Sequence, residues 1–211
     1  MAKYQLTDNV FVSPTPAGAY FCISSTKDSA SRKLMSTLLK EKSSVKLTIE
    51  ALKEWTGLTE EEEALALLHR VQSFDWLEGL EEPKSVIDGS LEEILPDLLV
   101  GLSDTGKALL ADEQGFYLSA QGFPHETAEE LSALSADLFT LYQRHEGLLR
   151  NNLGLENSAL AVVDGAGNSQ IGFWPLWVGK HRFVLVLKGT SLLNKPALMQ
   201  LIWALYIRYG S

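Results

Sequence analysis

Apolar positions in the first 88 residues recur mostly at helical spacing. Leu34, Met35, Leu38 and Leu39 predict a helix over 29–41. A second helix is predicted over 47–55, with Thr48 as N-cap and Gly57 as its stop. A third follows Thr59. Thr59 and Glu62 fit a capping box, and Glu60 to Glu63 place carboxylates where the helix dipole favours them. Its apolar face is Leu65, Leu67, Leu68, Val71 and Phe74. Residues 76–80 and 84–88 then read as two strands of a hairpin turning at Glu81-Glu82-Pro83.

The rhythm changes after residue 88. Ser90 caps a predicted helix over 91–100, in which Pro96 is expected to kink or stop the chain. Strands are predicted at 108–112 and 116–120, joined at Glu113-Gln114-Gly115. A long helix is predicted over 126–151, where Leu131, Leu134, Leu138, Leu141, His145 and Leu148 follow steps of three and four. His145 on that stripe reads as a hydrogen-bonded packing histidine. Further strands are predicted at 158–163, 170–178 and 182–187, the first two joined by the Asp164-Gly165 turn. Phe183 to Leu187 is continuously apolar, as a central strand covered on both faces requires. Pro175 cannot donate to a ladder, so its strand must lie at an edge or bulge there. Pro196 opens a last helix that is apolar nearly all round and so needs cover on several sides, from the first half or from a second chain. Two domains are expected, 1–88 and 89–211, the second a mainly antiparallel five-stranded sheet flanked by helices.

Composition narrows the function classes. The 211 residues carry a formal net charge of −9, which disfavours a general phosphate-binding role. Residues 1–88 hold ten Lys and Arg against fourteen Asp and Glu, a net of −4. The single cysteine, Cys22, excludes an intramolecular disulfide and a cysteine-based zinc site, and its apolar surroundings predict a buried thiol. Absence of a signal pattern and of a membrane-length apolar run predicts a cytoplasmic protein.

Catalytic chemistry finds little support. His69, His125, His145 and His181 have no metal-ligand spacing. Asp112 and Glu113 are adjacent, so strand geometry would point them to opposite faces and preclude a carboxylate pair. The Gly165-x-Gly167 stretch lacks a third glycine and a following helix. Gly101 to Lys107 lacks the phosphate-loop frame, because Ala108 follows the lysine. No catalytic, metal or cofactor residue is assigned, and no enzyme activity is expected.

Two resemblances follow from the order of elements. Three helices and a hairpin, with the tight turn at 56–58, resemble a winged helix-turn-helix. Its recognition position would open on Glu60 to Glu63, which repel phosphates, so nucleic acid is not the expected target. The second half reads helix, strand, strand, long helix, strand, strand, strand, helix. With Gly115, the run Phe116-Tyr117-Leu118-Ser119 and then Gly122, it resembles the roadblock / dynein light chain family over residues 90–211. That resemblance implies a non-enzymatic homodimer acting as a scaffold or as a regulator of a small Ras-like GTPase. Dimer contacts are then expected on the outward face of the long helix, at Leu141, Tyr142 and Leu149. Trp174 and Trp177 are candidate partner anchors, since tryptophan is common at interface hot spots. The alternatives are a DNA-binding transcription regulator and a small-molecule sensor or enzyme with a pocket between sheet and helices.

Overall fold

The computed structural model describes residues 4–7, 9–155 and 158–210. The chain forms two compact units. One comprises Met1–Asp88 with Leu198–Ser211, the other Gly89–Ala197.

The first unit contains β1 (Phe11–Pro14), α1 (Pro16–Ile23), α2 (Ala30–Lys40), β2 (Val45–Lys46), α3 (Ile49–Thr56), α4 (Glu61–Ser73) and β3 (Leu77–Leu80). Its three strands are antiparallel in the order β2-β1-β3. The expected hairpin is not formed. β3 pairs with β1 along its whole length, from Phe11 opposite Leu80 to Pro14 opposite Leu77. The segment after Pro83 bridges Ser43 to Ser85 instead. β1 and α1 carry no periodic signal, because Pro14, Pro16 and Gly18 interrupt the apolar run. Thr15 nonetheless caps α1 by accepting from the Gly18 amide, with Pro16 in the first turn.

Local signals hold at α3, where Thr48 caps the start and Gly57 closes the end at φ 72°. They fail at α4. Its N-cap is Glu60, which makes no side-chain cap bond, and the Thr59–Glu62 box is absent. Phe74, expected on the apolar face, ends the helix and is exposed, and its ring meets Trp76 at 4.9 Å.

The last helix, α7 (Pro196–Tyr209), groups from Leu198 onward with the first unit, so the expected second domain, 89–211, loses its final helix to the first. Burial explains this. Leu198, Leu201, Ile202, Trp203 and Leu205 are all inaccessible, and a helix apolar on every side must be surrounded. The Trp203 indole donates to the Glu41 carbonyl at 2.7 Å. The Tyr206 hydroxyl meets the Cys22 Sγ at 3.2 Å. The cover that the sequence left open therefore comes from within the chain.

The second unit contains α5 (Leu91–Val100), β4 (Ala108–Asp112), β5 (Tyr117–Gln121), α6 (His125–Glu146), β6 (Leu160–Val163), β7 (Ser169–Val178) and β8 (His181–Lys188). A π-helical stretch, Gly147–Asn152, continues α6. The sheet is antiparallel throughout in the order β5-β4-β8-β7-β6, which places the apolar β8 at its centre. Ser90 caps α5 in a full capping box with Glu93, and Pro96 lies inside the helix without ending it. Pro175 causes no bulge, since β7 and β8 keep register from Ile171 to Val178. The β6 ladder stops at Phe173, so beyond that point Pro175 faces a side with no strand neighbour among the described residues.

Two outcomes test this packing. A Cβ on Gly18 would collide with the Trp76 carbonyl, so Gly18→Ala should cost about 3 kcal/mol in urea unfolding, as overpacking against fixed backbone does. Burial pushes the Cys22 thiol up to about 11 from 9.0. The fold therefore favours the neutral thiol, and this contribution is whole below pH 9 and is lost as pH rises toward 11. An aromatic-disulfide thiol reagent should accordingly label native Cys22 only on unfolding, with labelling accelerating through that window.

Candidate protein-interaction surface

The long helix α6 decides what the second unit shows to its surroundings. Its inward face is Ala128, Ser132, Ser135, Phe139 and Tyr142, all buried. Ala128, Phe139 and Tyr142 join Leu109 and Ala111 of β4, Phe173 of β7, and Val184 and Val186 of β8 in one apolar cluster. Most of the inward side chains are small, which lets the helix approach closely. Gly115, at φ 89° in the β4–β5 turn, lies so near that an added Cβ would sit 3.3 Å from the Ala133 Cα. The serines need no outside partner. Ser132 Oγ donates to the Ala128 carbonyl and Ser135 Oγ to the Ser132 carbonyl, both at 2.7 Å.

The leucine stripe points elsewhere. Leu134, Leu141 and Leu148 are 43%, 50% and 50% exposed, while Leu131 and Leu138 sit half-buried along its margin. His145, expected to be a packing histidine, is exposed because it shares this stripe. Helical period makes the inversion possible. Both the buried and the open set advance by three and four residues, so the two faces run side by side.

A shallow hollow of about 350 Å³ lies on this open side, lined by Asp137, Leu138, Thr140, Leu141 and Arg144. Four of these stand at i, i+3, i+4 and i+7, the arrangement that receives one side chain of a facing helix. The edge strand β6, at the opposite end of the sheet from β5, is also apolar and uncovered. Val162 and Val163 are 57% and 55% exposed, and the pairing with β7 shifts register between them. An edge strand without charge or proline is a template for further pairing.

The five residues expected at the interface divide. Leu141 is on the open stripe. Tyr142 turns into the core, only 7% exposed, with a hydroxyl that has no partner among the described residues. Leu149 is half-buried against the core cluster. Trp177 packs on the same side of the sheet and lies 5.8 Å from the Arg182 guanidinium, which itself rests 4.8 Å from the Phe139 ring. Trp174 is half-buried with its ring folded over Gly172, where an added Cβ would collide with it. The structure thus brings Leu141 together with Leu134 and Leu148, and sets the other four apart from that stripe. The seven-residue spacing of 134, 141 and 148 was the signal that could have found the other two leucines.

The β4–β5 turn is held by its own aspartate. The Asp112 carboxylate accepts from the Gln114 and Phe116 amides, both at 2.9 Å, and so closes its own turn. His125 opens α6 with a ring nitrogen 2.7 Å from the Tyr117 hydroxyl. Among the described residues no group of three His, Cys, Asp or Glu could hold a metal ion. Likewise, no described helix is long and apolar enough to cross a membrane.

No protein-family model matches the chain, and no curated protein matches it. Among solved structures, the chain is similar to a Roadblock/LC7 domain from Streptomyces avermitilis, at 16% identity and a TM-score of 0.36, over 57% of this chain and 93% of that one.

Proposed function

We propose that the chain is a non-enzymatic protein-interaction module of the cytoplasm that works as a homodimer. The observation that carries this reading is the outward leucine stripe of α6. Leu134, Leu141 and Leu148 leave half their surface in water on a helix whose other face is fully used. Contiguous exposed apolar surface of this kind marks an association site in a stable domain. The apolar β6 edge is a second uncovered surface of the same unit.

The dimer would present a composite surface to a second protein. A small Ras-like GTPase is the partner class proposed, on the roadblock-like order of elements over residues 90–211 and the Leu109–Phe123 hairpin. The first unit is proposed as a winged-helix-like module for protein contact. Glu61, Glu62 and Glu63 in the first turn of α4 oppose a nucleic-acid role.

Sedimentation of the full chain tests self-association. The wild type should sediment as a dimer at about 10 µM, and Leu141→Glu should be monomeric there with unchanged far-ultraviolet circular dichroism, since a charge on an exposed helix site spares the fold but not an apolar contact. A wild-type chain that stays monomeric at tens of micromolar contradicts the dimer.

A further inference from the structure

We infer that the first unit holds a binding site for a small organic cation, an ammonium group on an apolar body, in a hollow between its sheet and α4, with Glu81 as the group that takes the charge. This goes beyond the proposed function and stands on the other unit, so either can fail without the other.

The hollow is about 290 Å³ and is walled by the segment before β1, by β1, by the end of β3 and by α4. A missing side chain opens it. Val12 of β1 stands opposite Gly79 of β3, so a side chain at 79 would share the sheet face of Val12. A Cβ built on Gly79 would meet the Val10 Cγ1 at 3.0 Å and, its chain neighbours apart, no other atom within 4 Å. The apolar floor is thereby left uncovered. Val12, Leu47 and Leu68 form it, all buried. Residues 5–7 close one side, and the segment is anchored just before them, where the Tyr4 ring lies 4.7 Å from the His69 ring of α4.

The rim decides what the hollow would take. Gln5, Gln72 and Glu81 line it, all exposed, and none of these side chains has a hydrogen bond or ion pair among the described residues. Glu81 is the one ionisable residue of the lining. The nearby Glu78 is already engaged by Lys84 at 2.8 Å, whereas Glu81 has no cation of its own. An unpaired carboxylate and two side-chain amides above an apolar floor suit a ligand with a donating cationic head and an apolar body. An anion would meet the carboxylate and no compensating cation. Residues 1–88 carry a net charge of −4, a field that draws in the same sign of ligand. The volume is at the lower end of the roughly 300–1,000 Å³ of ligand sites, which selects a small molecule.

Methyl NMR titration of the full chain tests the site, with 2-phenylethylamine, a cation at neutral pH, and its uncharged analogue 2-phenylethanol. The amine should shift the Val12, Leu47 and Leu68 methyls saturably, with a Kd of about 1 mM. The alcohol should bind about fivefold more weakly, and Glu81→Gln should bring the amine down to the level of the alcohol while leaving the alcohol unchanged. Gly79→Val builds a side chain into the hollow and should weaken both ligands more than about tenfold. Shifts at these methyls that are absent or do not saturate overturn the site. Equal binding of amine and alcohol, with no effect of E81Q, overturns the cation assignment. Undiminished binding by a folded G79V overturns the location. Glu81 is exposed, so circular dichroism of E81Q should match the wild type, and that variant decides the charge recognition even where G79V fails to fold.

Discussion

The second unit depends on how closely α6 can lie on its sheet. The inward positions Ala128, Ser132 and Ser135 are small, and Gly115 comes up against the backbone at Ala133. Close approach lets Phe139 reach full burial among Leu109, Val184 and Val186. Leu131, Leu138 and Leu149 pack only partly against that cluster. Leu134, Leu141 and Leu148 stand on the adjacent face, where one copy of the second unit supplies no cover among its described residues.

The same constraint explains which parts of the sequence were legible. Local chemistry read well where a backbone conformation required it: Thr48 and Gly57 bound α3, Ser90 and Glu93 box the start of α5, and the Phe183–Leu187 run lies at the sheet centre. Pro175 was legible as a residue that shuns a ladder, and it lies beyond the end of the β6 pairing. Hydropathy alone misleads on α6. It marks the leucines as the face to bury and gives Ser132 and Ser135 no apolar weight, although both are inaccessible. Steps of three and four describe either face equally well, so periodicity located the helix and could not orient it.

Long-range partners were the least legible. β1 carries no alternation, yet it is the central strand of the first sheet. α7 announced its need for cover through an apolar surface on every side but not the identity of that cover. The Trp203 bond to Glu41 and the contact between Tyr206 and Cys22 join residues far apart in the chain. The two glutamates and proline at 81–83 looked like a hairpin turn because turn chemistry is local. The partner of β3 is set by packing instead, and that partner is β1. Of the interface candidates, Leu141 is exposed, whereas Tyr142, one residue on, rotates by about 100° into the core.

The central claim is that the leucine face of α6 is covered by a second copy in solution. Hydrogen exchange of the wild-type chain, followed from about 0.1 to 100 µM, measures this without any substitution, because association protects the covered segment by mass action. Slower exchange confined to residues 131–148 and the β6 edge as concentration rises is the predicted result. Exchange rates in those segments that are the same at every concentration, in a chain that remains monomeric across the range, would contradict it.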